Sequence, residues 1–266
     1  MATDTPPVQS VTEFLKQVEP AARDSTHGSF TLFRGQGDAS WQLLPGIARP
    51  PFKTTDICSD PDDQRDRSKE RRLLIVFRDH APPLLPQWTW AGTEAHVRWK
   101  QIVVAQHSRL PTRLLDWTSN PLVALFFATE KPAVPCNHQA CAYRDENGFH
   151  HSSVSYFKEM ETTSVESLAR RNKRPPVYDG KKDQQGELSF VRPPDIDHRV
   201  TAQSSFFSVS ASPGTPLTPE GVILVSASAR EEIRKQLNVM GINRKTLFPG
   251  LEGLVDHLRW DHLGWQ

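Results

Sequence analysis

The stretch A105-QHSRLPTRLLDWTSNPLVALFF-A128 is two kinds of sequence in succession. Residues 121–128, "PLVALFFA", are apolar throughout, whereas His107, Arg109, Arg113 and Asp116 crowd the first half. A buried charge without a partner is expensive, so a core segment carrying these groups must pair them or aim them into a cleft. "RLLDW" reads as a short buried strand. "SNPLVALFFATEK" reads as a helix capped by Ser119 or Asn120, with Pro121 at its first position. Alternation in the strand puts Arg113, Leu115 and Trp117 on one face and Leu114, Asp116 and Thr118 on the other. Asp116 and Thr118 then either form a functional pair beside the strand end, or Asp116 pairs with Arg113 or Arg109 while Thr118 caps the helix.

Working outward, "SFTLFRGQ" at 29–36 predicts a strand with Phe30, Leu32 and Arg34 on one face and Thr31, Phe33 and Gly35 on the other. It delivers Arg34 to its end, and Gly35 permits close approach of backbone. "SVTEFLKQVEPAA" predicts a first helix with Val11, Phe14, Leu15 and Val18 as its stripe, ending near Pro20. Residues 50–69 are polar and acidic and read as a loop. "KERRLLIVFRDHAPPLL" predicts a helix from about Ser68, with Glu70 in its first turn and Leu73, Leu74 and Phe77 as its stripe, and "EAHVRWKQIVVAQH" a further one carrying Trp99. Later, "GELSFVRPP", "RVTAQSSFFSVS" and "GVILVSA" read as strands, "SAREEIRKQLNVMG" as a helix closed by Gly241, and "LFPGLEGLVDHLRW" as a last helix. Residues 131–185 read as a flexible or inserted segment. Helices early and strands late give an α+β fold, a mixed central sheet with flanking helices, in a single domain over 1–266.

Lys and Arg total 32 against 31 Asp and Glu, so no global field favours nucleic acid or an anionic membrane. Any polyanion site must be a local cluster. No apolar run is long enough to span a bilayer, and three cysteines, Cys58, Cys136 and Cys141, are too few for a disulfide scaffold; both agree with a cytoplasmic protein and no membrane partner. Glycine-rich phosphate loops, GxSxG elbows and HExxH helices are absent from the sequence. Cys136, His138 and Cys141, with His150 and His151 beyond, resemble metal ligands. "CNHQAC" is not a strong zinc spacing, however, so the reading is thiols in a loop with no metal assigned. An aromatic-Arg-Gly at a strand end, here Phe33-Arg34-Gly35, can hold a phosphate or carboxylate bidentately.

Together "FRGQ", "ERRLLIVF", the 105–128 stretch, "RVTAQSSFFSV" and "GINRKTLFPGLEGL" resemble the FRG-domain family, named for the tripeptide at Phe33, Arg34 and Gly35. The chain departs from the family at Ser108-Arg109, where a glycine often stands before Leu-Pro-Thr-Arg, and at Ser204-Ser205, where a glycine commonly precedes the Phe. The resemblance implies a bacterial toxin or phage-defence role. ADP-ribosyltransferases are similar in plan, and that similarity implies an enzyme consuming NAD. Arg34, with Gly35 and Gln36, would bind the pyrophosphate; Thr118 would shape the nicotinamide pocket; Gln203 would sit on a third strand; His107 and Asp116 would complete the catalytic group, and Arg113 would join the cofactor site. Gln203 carries no charge, leaving Asp116, Glu70 or Glu252 to supply the carboxylate. The implied partners are a macromolecular acceptor (RNA, DNA or protein) and a cognate antitoxin. The alternatives are a non-enzymatic sensing module and a nuclease.

Overall fold

Each strand of the computed structural model sorts its residues between an aromatic interior and a helix-covered exterior. The model describes residues 5–22, 29–52, 64–85, 87–137, 141–175, 188–194, 198–210 and 212–264. The strands are β1 (Ser29–Gln36), β2 (Leu115–Thr118), β3 (Ser152–Ser164), β4 (Ser189–Arg192), β5 (Ser205–Val209) and β6 (Gly221–Val225). They pair in the order β1-β2-β5-β4-β3-β6, and β1 also pairs with β3, so five strands close into a barrel with β6 attached outside the ring. All ladders are antiparallel except β3 with β4.

Closure depends on β3, which changes neighbour along its length: Ser152 to Tyr156 pair with β6 and Thr162 to Ser164 pair with β4, while β1 runs beside it from Ser153 to Glu161. The register shifts between Phe30 and Leu32, and Glu159 there takes a left-handed φ of 51°. An extra residue of this kind increases local twist and bends the strand, which a closed ring requires. The segment 131–185, read in sequence as flexible or inserted, contains β3; its residues 138–140 and 176–185 lie outside the described residues.

Leu32, Leu115, Trp117, Phe157, Phe190 and Phe206 fill the barrel. Trp117, Phe157 and Phe190 meet edge-to-face with centroids 5.2 to 6.0 Å apart, and Trp117 Nε1 donates to Ser208 Oγ at 2.9 Å, so the indole is satisfied inside. The other strand faces are covered by helices. Phe33, Val154 and Ile223 pack under α1 (Val11–Ala22), α4 (Pro121–Thr129) and α7 (Arg230–Val239). Leu114, Val191 and Phe207 pack with Leu74 of α2 (Gln64–His80), Trp99 and Ile102 of α3 (Glu94–His107), and Val165 of α5 (Val165–Arg170). Three short or peripheral helices complete the chain: α6 (His198–Ala202), α8 (Arg244–Leu247) and α9 (Leu251–Leu263).

Several local expectations shift. The first helix runs through Pro20 to Ala22, and Leu15 is exposed while Val11, Phe14 and Val18 are buried. The α2 helix begins at Gln64, four residues early, which places Glu70 in its interior, and Leu73 faces out. "RVTAQSSFFSVS" divides into α6, a turn and β5, and the last helix divides at Gly250 into α8 and α9. No helix among the described residues is long and apolar enough to cross a membrane.

Candidate functional site

The end of β1, one face of α4 and the C-terminus of α3 converge on a cleft of about 400 Å³. Strand β2 runs through its floor. Phe33 faces Thr118 across the only register pair of β1 and β2, so Arg34 and Asp116 lie within reach of one another. Arg34 Nη1 donates to the Asp116 carbonyl at 2.6 Å and stands 3.7 Å from Asp116 Oδ2. Only 15% of the Arg34 side chain is exposed. Burial pulls its pKa down to about 10, opposed by Asp116 and reinforced by Arg49. The group remains charged at neutral pH yet poorly solvated, and its buried Nε has no hydrogen-bond partner among the described residues. An anion brought to it would replace missing water.

Asp116 keeps its carboxylate 57% exposed, on the face away from the barrel interior. Gln106 Nε2 donates to both of its oxygens, at 3.2 and 3.1 Å. The amide is itself oriented, because Gln106 Oε1 accepts from the Thr112 hydroxyl at 2.7 Å and that hydroxyl accepts from Leu114 N–H at 3.1 Å. Backbone thus sets hydroxyl, hydroxyl sets amide, and amide sets carboxylate. Gln106 and Thr112 lie within the 105–128 stretch but carry no charge, which is why a search for ionisable groups passes over them.

The remaining expected residues divide into those in the cleft and those outside it. Gly35, Gln36, His107, Thr118 and Gln203 line it. At Gly35 a Cβ would come within 1.9 Å of the Ala124 carbonyl oxygen, so this glycine lets β1 and α4 touch. The Thr118 hydroxyl donates to the Gln203 carbonyl at 2.7 Å and accepts from Asn120 N–H at 3.0 Å, while Asn120 caps α4 through Leu122 N–H. Gln203 stands in the turn before β5 rather than on a strand, and its Nε2 donates to the Leu247 carbonyl at 2.9 Å. Gln36 directs its amide at the carbonyls of Trp41 and Gln42. His107 ends α3 with its ring edge-on to Phe207, 6.1 Å away.

Arg113 does not belong to the cleft. It is 3% exposed and locked to Glu70: Nη2 and Nε contact Oε2 at 2.7 and 2.8 Å, and its backbone N–H donates to Oε1 at 2.8 Å. The similarity to ADP-ribosyltransferases implied a place for it in the cofactor site, but Arg113 precedes β2 and its side chain is spent on Glu70 of α2, and the same pairing removes Glu70 as a cleft carboxylate. Glu252, on α9, reaches Arg199 only at 3.8 Å and is 86% exposed.

Cations dominate the lining. Arg34, Arg49, Arg109, Lys131, Arg199 and Arg230 face it, against the carboxylates Asp116 and Glu130. Glu130 is already ion-paired with Arg244. Phe127 and Phe248, edge-to-face at 6.1 Å, add apolar surface. Arg230, which reads in sequence as an ordinary first-turn charge, is 2% exposed and donates to the carbonyls of Gly37, Lys131, Pro132 and His150, tying the 131–151 segment to the cleft wall. Burial pulls its pKa down to about 10.

Of the cysteines, Cys58 lies outside the described residues, as does His138. Cys136 and Cys141 are not in a disulfide and come together with His150.

Residues 29–135 fit the family model of the FRG domain, a span containing β1, β2, α3, α4, Arg34, Gln106 and Asp116. Among curated proteins and among solved structures, nothing matches the chain.

Proposed function

We propose, from the premise that this chain carries an FRG domain, that its cleft binds NAD and transfers ADP-ribose to a macromolecule. The observation that carries this reading is the Arg34–Asp116 juxtaposition: an under-solvated guanidinium beside an exposed carboxylate held by Gln106. An excess of cations in the lining suits a ligand with two or more phosphates, and Phe127 and Phe248 offer surface for a base.

NAD supplies an N-glycosidic bond whose cleavage releases nicotinamide and leaves positive charge on the ribose; a nucleophile of the acceptor then bonds to the same carbon and loses its proton to solvent. Arg34 holds the pyrophosphate. Asp116, the carboxylate left once Glu70 is spent on Arg113, faces the developing charge and stabilises it. Gln106 and Thr112 keep Asp116 in one orientation, so little reorganisation accompanies the reaction. In this reading the enzyme is a toxin or defence effector, and its expression arrests growth unless an antitoxin partner is present.

The test is incubation with adenine-labelled NAD, total cell protein and RNA, alongside Asp116→Asn and Arg34→Lys. Label moves from NAD to one macromolecular pool with the wild type, and Asp116→Asn slows transfer by about 100-fold. Full transfer by Asp116→Asn removes Asp116 from the mechanism. A second reading, a sensing module, draws on the way Thr118 and Gln203 spend their polar groups within the fold. NAD bound and recovered intact would favour it.

A further inference from the structure

The ligand atoms of Cys136, Cys141 and His150 lie within 4.8 Å of one another, on the segment between α4 and β3 and apart from Arg34 and Asp116. Sequence spacing alone does not join them, because Cys141 and His150 are nine residues apart and the pairing that unites them is made by backbone. Cys136 N–H donates to the Gly148 carbonyl at 2.7 Å, and His150 N–H donates to the Val134 carbonyl at 2.9 Å. A bridge between Pro135 and Phe149 lies between these bonds, and a second links Arg144 with His150. The two arms are therefore already in register when the side chains meet.

We propose that this cluster is a three-ligand zinc site that fastens its segment of the chain. Two thiols and an imidazole make a donor set that selects a borderline-soft cation over magnesium or calcium. Cys136 is 6% exposed and the His150 side chain 12%, so solvent is largely excluded. His150 Nδ1 stands 3.9 Å from Cys141 Sγ and 3.2 Å from Asp38 Oδ1. Asp38 is in turn held by the N–H and hydroxyl of Ser40, at 2.8 and 2.6 Å. Zinc bound at Nδ1 takes the place of the Asp38 contact, and the carboxylate, still held by Ser40, stands close enough to balance the cation's charge. Binding deprotonates both thiols and releases their protons to solvent, with no change of oxidation state.

The site would fasten the segment at a second point. Arg230 already grips the carbonyls of Lys131, Pro132 and His150, and Lys131, Pro132 and Val134 form one wall of the cleft. The zinc clamps the same wall from behind, whatever the cleft binds.

Full-length protein purified under reducing conditions is analysed by atomic emission and zinc-edge X-ray absorption, with Cys141→Ser and, as a control from elsewhere in the sequence, Cys58→Ser. The expected result is about one zinc per chain with two sulfur neighbours at about 2.3 Å. Zinc content falls at least tenfold in Cys141→Ser and is unchanged in Cys58→Ser. Because Cys141→Ser could lose metal by unfolding, the wild type is also treated with a chelator, which lowers its melting temperature reversibly. Wild-type protein that takes up no zinc after incubation with zinc sulfate overturns the proposal. So does bound zinc without sulfur neighbours, or a Cys136–Cys141 disulfide in protein never exposed to oxidant.

Discussion

Arg109 and Ser204 carry φ values of 65° and 48°, in the left-handed region that disfavours side chains with a Cβ. Both stand at the points where the sequence departs from the FRG-domain pattern it resembles. At Arg109 the reason is a helix end: Arg109 N–H donates to the Gln106 carbonyl and Leu110 N–H to the Ala105 carbonyl, the reciprocal pair that closes a helix through one left-handed residue. Ser204 follows α6 in a similar tight turn, with its N–H on the Thr201 carbonyl. Each side chain costs about 1 kcal/mol of backbone strain. Ser204→Gly is therefore expected to raise the melting temperature by about 2 °C in a scan. Arg109→Gly should stabilise by a similar amount while weakening anion binding, since Arg109 lines the cleft. A lower melting temperature for Ser204→Gly would show that strain is absent there.

Two buried polar groups respond differently to the loss or gain of charge. Arg113 and Glu70 are each 2% exposed at the side chain and join the segment leading into β2 to the interior of α2. Removing one partner strands the other charge, so Glu70→Gln should cost about 3 kcal/mol, read as a lower urea midpoint with unchanged slope. An unchanged midpoint would mean that water reaches the pair. His257 on α9 is different, for it favours the neutral form. Burial lowers its pKa from 6.5, with Asp261 opposing and Lys245, Arg234 and His262 reinforcing. The unfolded chain then takes up the proton first, so the contribution of this docking is complete above pH 6.5 and falls as the pH drops below it. Melting temperature should decline between pH 7 and 5, and His257→Gln should flatten that decline; parallel curves would place the sensitivity elsewhere.

At the scale of the whole molecule, the legible parts were those with one wet and one dry face or a cap. Strand β1 alternates, with Leu32 in the barrel and Phe33 beneath α4, and α4 carries both Asn120 and Pro121 at its start. Strand β3 was illegible because its buried half is "SSVSY". Ser152, Ser153 and Ser155 are at most 3% exposed, yet they read as solvent-facing. Small hydroxyl residues fit where two neighbouring strands crowd one, and no local pattern announces that. Ring closure joins residue 29 to residue 161, a separation beyond any periodic signal. Of the three carboxylates the sequence offered, Asp116 alone lines the cleft, and the Glu70 salt bridge that takes Glu70 elsewhere spans 43 residues.

Closure also governs how other molecules can approach. Within the ring every strand has its neighbours, and β6, the strand outside it, is flanked on its outer side by Val8, whose N–H donates to Leu224 and whose carbonyl accepts from Ser226. Apart from the β1–β2 seam, which one register pair holds, the described sheet offers little unsatisfied main chain for a visiting peptide to extend. If the fold recruits a macromolecule, recognition falls to side chains of the cleft rather than to main chain, and selectivity then changes with point substitutions there while the scaffold stays as it is.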